Sequence, residues 1–273
     1  MKVGVVGSSG VVGGIIIEQL LLTGHEVIRF SRNDDFGNEY FDVLDLNSNP
    51  DFSDLHLIIY CSWSTNDRSK KCQQAHAHAA RHWAKHANNQ KCKFLFLSSV
   101  LADETAKSNY GIYKRFAESG VQEFGGKSLR LGLVADDAYE LLLTKLRRID
   151  RKIGVVHRFC DFQVYAISTA SLKVCLLQMM EEWPAGFVFW VAPLRAESLM
   201  HMIRPDNTTK VAKNSMFRLL PKIVAVFPTR KGKLGTYIDA VKGVLGQNVD
   251  PVKQSLINPV EIDDSGWKTK LFL

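Results

Sequence analysis

A tyrosine and a lysine four residues apart are the side chains in this sequence best suited to acid–base chemistry. Tyr110 and Lys114 fall in a segment that predicts a helix, so both lie on one helix face. A phenol ordinarily loses its proton near pH ~10, and a neighbouring ammonium stabilises the phenolate and lowers that pKa. Ser98 and Ser99 end the preceding predicted strand, where a hydroxyl can hold a substrate oxygen while the proton moves. The pattern predicts Tyr110 as acid and base, Lys114 as its pKa partner, and either serine as the orienting group.

A glycine-rich turn follows the first predicted strand. Gly7 permits the tight turn, Gly10 lets the backbone approach a pyrophosphate, and Gly13 lets the next helix pack close to the strand. The N-terminus of that helix offers unpaired N–H groups and a partial positive charge to phosphates. The residues expected to contact a dinucleotide here are Gly7, Ser8, Ser9, Gly10, Val11, Val12 and Gly13.

The end of the second predicted strand selects the cofactor. NAD binding favours an acidic residue at this point, which accepts a hydrogen bond from the ribose 2′-hydroxyl. Here the strand ends in Ser31 and Arg32, and a hydroxyl beside a cation suits the 2′-phosphate of NADP. The alternative is NAD with Asp34 or Asp35 as the ribose partner, although both come later in the loop. NADP is therefore the expected cofactor, with NAD as the alternative.

Strands and helices alternate along the chain and would bring these residues to one edge of a sheet. Predicted strands span residues 2–6, 26–30, 40–43, 57–60, 93–97, 129–134, 163–167 and 187–191. Predicted helices span residues 15–22, 68–88, 110–124, 139–149 and 172–182. Alternation of this kind is typical of a parallel sheet covered on both faces. The sequence predicts an α/β fold with a Rossmann-type, doubly wound parallel sheet and a smaller, mixed C-terminal lobe.

The expected division of the chain is a dinucleotide-binding domain over residues 1–190 and a substrate-binding lobe over residues 191–273. Residues 136–152 are expected to contribute to the lobe. Of the net charge of +7, thirteen Lys and Arg against seven Asp and Glu place +6 in residues 191–273. A basic lobe suits a phosphorylated or nucleotide-linked substrate. Its positive residues are spread out with no interleaved aromatic residues, so nucleic acid is not an expected partner.

The composition is ordinary for a soluble globular protein, with 46% apolar and 23% charged residues. No run approaches the ~18–20 apolar residues of a membrane-spanning helix, and the glycine-broken N-terminus does not resemble a signal peptide. The five cysteines are scattered and form no C-x-x-C pair, which favours a reducing compartment. We therefore expect a cytoplasmic protein without a membrane partner.

The sequence resembles the short-chain dehydrogenase/reductase superfamily, in particular its extended or atypical branch of nucleotide-sugar epimerases, dehydratases and reductases. The matching residues, over about the first 135, are Gly7, Gly10, Gly13, Ser31, Arg32, the segments 94–99 and 129–134, and Tyr110, Lys114 and Glu118. The resemblance implies that Tyr110 and Lys114 are catalytic, that Lys114 also binds the cofactor ribose, and that Ser98 or Ser99 orients the substrate. It further implies that the C-terminal lobe selects the substrate and that the protein forms a homodimer through two long helices.

Three departures from the family pattern stand out. The interval from the serines to Tyr110 is short, so the choice between Ser98 and Ser99 stays open. The strand that usually ends in an alanine pair is followed here by Cys61, Ser62 and Trp63, and these three residues are expected to line the cofactor. Asp45 is also expected to bind the cofactor, as the neighbour of the adenine, with Asp42 as the alternative. An aspartate usual after a later strand is replaced around residues 168–171.

Three histidines recur at intervals of four in one predicted helix. His78, His82 and His86 share a helix face that could in principle bind zinc or nickel. No carboxylate partner accompanies them, and in the resembling family this helix lies far from the nicotinamide. No metal site is expected.

The leading hypothesis is an NADP-dependent oxidoreductase or epimerase that acts by hydride transfer on a hydroxyl or carbonyl of a sugar, expected to be nucleotide-linked. One alternative is a non-catalytic NADP-binding regulator or redox sensor of the atypical branch. The intact Tyr110 and Lys114 pair argues against that alternative. Another alternative is a reductase of a non-sugar carbonyl, which would share every N-terminal motif.

Overall fold

The computed structural model describes residues 1–32, 39–65, 67–135, 163–193, 197–198, 262–264 and 267–272. The predicted helix over residues 139–149 lies outside these ranges. So do Asp34 and Asp35, the alternative ribose partners.

Strands and helices alternate over most of the described chain. In chain order the elements are β1 (Lys2–Val6), α1 (Val11–Leu22), β2 (Glu26–Ser31), β3 (Glu39–Tyr40), β4 (Leu57–Tyr60), α2 (Lys70–Asn89), β5 (Lys93–Ser99), a 3₁₀ turn (Val100–Ala102), α3 (Asn109–Glu123), β6 (Lys127–Leu131), β7 (Leu133–Ala135), β8 (Gln163–Val164), β9 (Ala166–Ser168), α4 (Thr169–Glu182), β10 (Val188–Pro193), β11 (Glu197–Ser198), β12 (Ile262–Asp264) and β13 (Trp267–Phe272).

Seven parallel strands form the main sheet in the order β3-β2-β1-β4-β5-β6-β10. The antiparallel strands β13 and β12 extend it beyond β10. The chain moves outward from β1 to β3 and then returns to the other side of β1 at β4. Ligands of open α/β sheets bind at the carboxyl ends of the strands beside such a reversal. The predicted Rossmann-type fold class is confirmed.

Apolar side chains on alternate strand positions fill two cores, one on each face of the sheet. In β5, Leu95 and Leu97 pack with residues of α1 and α4, whereas Phe94 and Phe96 pack with residues of α2 and α3. Helices thus cover both faces of the sheet, as is usual where strands are parallel. This double layer explains why β4, with the sequence Leu-Ile-Ile-Tyr, is buried at every position.

Three of the four α-helices within the described residues begin with a serine that caps their first turn. Ser69, Ser108 and Ser168 each accept a hydrogen bond from a backbone N–H three residues on, as expected of N-cap residues. Helix α1 differs, because its N-cap is Gly10 and no side chain caps it. The first N–H groups of α1 are therefore left to another acceptor.

The predicted strand over residues 129–134 is two strands, and Gly132 separates them. The Gly132 N–H donates to the Val191 carbonyl, whereas the next N–H, of Leu133, donates to the Tyr165 carbonyl. A Cβ at Gly132 would overlap the Tyr165 carbonyl oxygen. The chain thus leaves the main sheet at this glycine and pairs with β9 in a separate two-stranded sheet.

Residues from the predicted C-terminal lobe contribute to the main sheet. Strands β12 and β13 pair with each other, and β13 pairs with β10. Residues 199–261 lie outside the described ranges, so the domain boundary near residue 190 stays a prediction. Among the described residues, no helix combines the length and apolar character required to cross a membrane.

Two adjacent glycines of α1 provide a matched test of how tightly this helix packs. A Cβ at Gly13 would overlap the Gly7 carbonyl oxygen, whereas one at Gly14 meets nothing within 4 Å. We expect Gly13→Ala to lower the free energy of unfolding by about 2 kcal/mol or more. We expect Gly14→Ala to raise it by roughly 0.5–1 kcal/mol, since alanine favours a helix over glycine. Urea unfolding measures both, and equal effects of the two substitutions would contradict the close packing.

Candidate active site

The glycine turn fixes the start of α1 at the carboxyl end of β1. Gly7 has a φ of +86°, which favours glycine, and its N–H donates to the Phe30 carbonyl at 2.9 Å. The Ser8 hydroxyl donates to the same carbonyl at 3.1 Å, so it holds the turn against β2. A Cβ at Gly7 would lie 2.9 Å from the Ser62 nitrogen. The turn is therefore wedged between the ends of β2 and β4.

A pocket of about 430 Å³ opens at this point. Its lining residues are Gly7, Ser9, Ser31, Arg32, Phe41, Val43 and Ser62. The Ser31 hydroxyl donates to that of Ser9 at 2.9 Å, which ties the polar end of β2 to the turn. Arg32 is exposed and supplies a cation, whereas Phe41 and Val43 supply an apolar wall.

The pocket has the features needed to hold a dinucleotide. Uncapped N–H groups at the start of α1 suit a diphosphate, and the apolar wall suits a flat base. Arg32 suits a further phosphate. The pocket thus brings together a cation, an apolar wall and residues of the glycine turn that leads into α1.

Some residues expected at the cofactor lie elsewhere. Asp42 and Asp45 accept hydrogen bonds from the backbone N–H groups of Leu44 and Asn47, and neither lines the pocket. Val11 is exposed and Val12 half-buried at the start of α1. The Cys61 N–H donates to the Val6 carbonyl, and burial raises the pKa of its thiol to about 12. Cys61 therefore supplies backbone contact to β1 but no reactive thiolate.

Ser99 is the serine that the structure brings to Tyr110. Its side chain lies close enough to Tyr110 to lower the pKa of that phenol, and it accepts a hydrogen bond from the Leu101 N–H at 3.2 Å. Ser98 lies on the face of β5 that Phe94 and Phe96 occupy, and its buried hydroxyl has no hydrogen-bond partner among the described residues. The geometry thus distinguishes two serines that the sequence leaves equivalent.

A close approach between backbones makes the short interval between Ser99 and Tyr110 feasible. A Cβ at Gly111 would overlap the Leu101 carbonyl oxygen in the 3₁₀ turn after β5. Gly111 therefore lets the first turn of α3 pack directly on that 3₁₀ turn. This contact brings Tyr110 down to the end of β5.

Lys114 is buried, with 3% of its surface exposed, and its ammonium points towards β5. Its Nζ donates to the Leu97 carbonyl at 2.6 Å and lies 4.3 Å from the ring centre of Trp63 and 4.5 Å from that of Phe96. The ring centre of Tyr110 is farther, at 5.9 Å. Burial lowers the pKa of Lys114 to about 7, against the opposing effects of Glu118 and Cys61.

Trp63 covers the ammonium of Lys114. Its indole N–H donates to the Gln73 side chain at 2.7 Å, and the Gln73 amide donates to the carbonyls of Ser64 and Asp67. The edge of the ring also meets Tyr110, with centroids 6.4 Å apart. Trp63, which is expected to line the cofactor, thus covers the Lys114 ammonium and is held there by Gln73.

Arg68 is a neighbour of Tyr110 that the sequence analysis did not identify. Its guanidinium carbon lies 5.5 Å from the centre of the Tyr110 ring. Burial raises the pKa of Tyr110, and the charge of Arg68 and the Ser99 hydrogen bond oppose that rise. No spacing rule locates an arginine of the loop after β4 over a ring on α3.

A buried ion pair fixes α3 to the sheet behind the site. Arg130 of β6 donates to both carboxylate oxygens of Glu118, at 2.8 and 2.6 Å, and stacks 4.9 Å from the Trp190 ring centre. Two-point contacts of this kind restrict orientation as well as distance. Glu118 lies one turn beyond Lys114 on α3, so the ion pair also fixes the position of Lys114 along β5.

The three regularly spaced histidines of α2, His78, His82 and His86, make separate contacts. His86 is within hydrogen-bond distance of the Pro50 carbonyl, His78 meets the Phe116 ring and His82 the Trp83 ring. No group of three possible metal ligands occurs within the part of the chain that the structure describes.

No protein-family model matches the sequence, and a search of curated proteins finds no match. Solved structures do match, with the same arrangement of sheet and helices. UDP-N-acetylglucosamine 4-epimerase from Bacillus cereus superposes with a TM-score of 0.60 at 12% identity, over 89% of this chain and 98% of that one. The chain has the fold of these sugar-nucleotide enzymes.

Two further structures match over about three quarters of the chain. The Bordetella bronchiseptica enzyme WbmG, solved in complex with NAD, has a TM-score of 0.59 and 17% identity, over 74% of this chain and 76% of that one. A dTDP-4-dehydrorhamnose reductase from Clostridium acetobutylicum has a TM-score of 0.58 and 18% identity, over 75% and 80%. A short-chain dehydrogenase/reductase superfamily protein from Agrobacterium tumefaciens, solved with bound NAD, has a TM-score of 0.56 at 16% identity, so this chain shares its fold.

Replacing Lys114 with Met tests its depressed pKa. Between about pH 7 and 10 the unfolded chain holds a proton on Lys114 that the folded protein lacks, so the wild type should become more stable as the pH rises. Relative to Lys114→Met, its free energy of unfolding should rise by roughly 1.4 kcal/mol per pH unit. Urea unfolding across this window measures the difference, with the exposed Lys71→Met as control. A difference that does not change with pH contradicts the assignment.

Proposed function

We propose that the protein is an NADP-dependent oxidoreductase or epimerase that acts on a hydroxyl or carbonyl of a nucleotide-linked sugar. The observation that carries the proposal is the proximity of Ser99 to Tyr110 at the same sheet edge as the glycine-turn pocket. A dinucleotide pocket and an acid–base pair on one edge are what a hydride-transfer site requires. The sugar-nucleotide enzymes that share the fold support this choice of substrate class.

The residues of the pocket would hold the cofactor. The N–H groups at the start of α1 would bind the diphosphate, the wall of Phe41 and Val43 would contact the adenine, and Arg32 would bind the 2′-phosphate. Bound nicotinamide would supply or accept the hydride. Arg32 favours NADP, although the Bordetella enzyme of similar fold was solved with NAD.

Tyr110 would exchange a proton with the substrate oxygen, and Ser99 would hold that oxygen by a hydrogen bond. The Tyr110 ring lies at the start of α3 beside the end of β5, so the hydroxyls of both residues meet at the carboxyl edge of the sheet. Lys114 lies beneath them. A contact between its ammonium and a cofactor ribose requires Trp63 to move off it, because Trp63 and Phe96 enclose that ammonium.

The same enclosure favours a second candidate function. A non-catalytic NADP-binding regulator or redox sensor needs the pocket but not an accessible Lys114. Trp63, in the place of a small residue, is the feature that favours this alternative.

Replacing Arg32 with Ser tests the choice of cofactor. Loss of a charged hydrogen bond to the 2′-phosphate should weaken NADPH binding by about 10–100-fold and leave NADH binding unchanged. Arg29→Ser, three residues earlier on β2 and outside the pocket lining, is the matched control. Nicotinamide fluorescence titrations measure both affinities. Equal weakening of NADPH binding and NADH binding would contradict the contact between Arg32 and the 2′-phosphate.

Replacing Tyr110 with Phe separates the enzyme from the regulator. Loss of the acid–base group should lower turnover by about 10²–10⁴-fold while NADPH binding persists. Tyr113→Phe is the matched control, because Tyr113 lies on the same helix and packs against the core. The assay follows NADPH oxidation, NADP reduction and epimer formation with a panel of UDP- and dTDP-linked sugars. Unchanged turnover in Tyr110→Phe contradicts the proposed acid–base role.

A further inference from the structure

Among the described residues, the cation nearest the Tyr110 ring comes from the loop between β4 and α2. The guanidinium carbon of Arg68 lies 5.5 Å from the ring centre, against 5.9 Å for the Lys114 ammonium. The distances are similar, but the surroundings of the two cations differ. The Lys114 Nζ donates to the Leu97 carbonyl and is enclosed by Trp63 and Phe96. The Lys114 ammonium is therefore directed at β5, whereas the Arg68 guanidinium lies over the Tyr110 ring.

Contacts on both sides hold Arg68 in this position. Its Nε donates to the Thr65 carbonyl at 3.3 Å within the loop. Its carbonyl accepts from the Asn109 side chain at 3.2 Å, and Asn109 is the first residue of α3 and the neighbour of Tyr110. The Asp67 carboxylate accepts from the Ser69 N–H at 2.8 Å. The loop is thus attached to the helix beside the tyrosine.

We propose that Arg68 is the positioning residue that stabilises the Tyr110 phenolate during proton transfer, a part that the sequence pattern gives to Lys114. The proposal rests on the proposed function. When the Tyr110 O–H bond breaks and the proton passes to a substrate oxygen, negative charge is left on the phenol oxygen and is shared with the ring. A cation over the ring face stabilises that charge.

The groups that act on the phenol come from three elements. They are Arg68 from the loop after β4, Ser99 at the end of β5, and Lys114 one turn along α3. The charge of Arg68 and the Ser99 hydrogen bond lower the pKa of Tyr110 against the effect of burial. Lys114, whose own pKa is lowered to about 7, is mostly neutral where a phenol ionises. A guanidinium keeps its charge throughout that range.

The test is the ionisation of Tyr110 itself, followed by NMR of protein labelled with ¹³C at tyrosine Cζ. The chain has seven tyrosines, and Tyr110→Phe identifies the resonance by its loss. In Arg68→Met the midpoint of the Tyr110 titration should rise by about one pH unit. Arg68→Lys should retain most of the wild-type midpoint, since it keeps a charge. Lys71→Met, which removes an exposed cation, should leave it unchanged.

Either of two results overturns the proposal. One is an unchanged midpoint in Arg68→Met. The other is an equal rise in Arg68→Met and Arg68→Lys, which would attribute the effect to loop structure and not to charge. The titration uses the protein without cofactor or substrate. A failure of NADPH binding or turnover would overturn the proposed function and leave this titration readable, so the two failures are distinguishable.

Discussion

The contact between α1 and the turn that precedes it is the constraint on which the rest of the site depends. Gly13 lies so close to the Gly7 carbonyl that no side chain fits between them. Because of this contact, α1 starts directly at the end of β1, beside the point where the strand order reverses. The glycine turn and the residues that end or follow β2 and β4 then line one pocket, next to the uncapped first turn of α1. A wider turn would separate the helix N-terminus from Arg32.

A second constraint is the burial of charged side chains on α3 and β6, close to Tyr110. Glu118 and Arg130 form a two-point ion pair with almost no exposure, and Lys114 lies one turn away on the same helix. Burial disfavours the charged form of Lys114, although Glu118 opposes this. Because Lys114 is directed at β5, the charge that acts on the Tyr110 phenol comes from Arg68 in the loop after β4. The chemistry of the edge therefore depends on that loop as well as on α3.

Much of the fold could be predicted from the sequence because its signals are local. The apolar run of β4 and the glycine turn each determine their own conformation, and the predicted bounds of β4 match the structure. The break at Gly132 could not be predicted, since it depends on a carbonyl of Tyr165 that is distant in sequence. The start of α1 is four residues earlier than predicted, because Val11 begins the helix directly after its glycine cap.

The pairing of Tyr110 with Lys114 on one helix could be predicted from the sequence, whereas the surroundings of the two residues could not. The spacing of Tyr110 and Lys114 predicts a shared helix face, which the structure has. The direction of the Lys114 ammonium depends on Trp63 and Phe96, from two other elements. Alternation along β5 places Ser98, with Phe94 and Phe96, on the face that α3 covers, so it does not predict that Ser99 is the serine beside Tyr110. The contact between Arg68 and Tyr110 depends on the conformation of the loop between β4 and α2, which no sequence pattern specifies.

A crystal structure of the protein grown with NADPH tests the central claim most directly. The account predicts the diphosphate against the backbone N–H groups at the start of α1, with the 2′-phosphate within hydrogen-bond distance of Arg32. It also predicts the nicotinamide on the side of Tyr110 and Ser99. NADPH absent from the pocket at saturating concentration, or bound with its phosphates away from the glycine turn, would contradict the account.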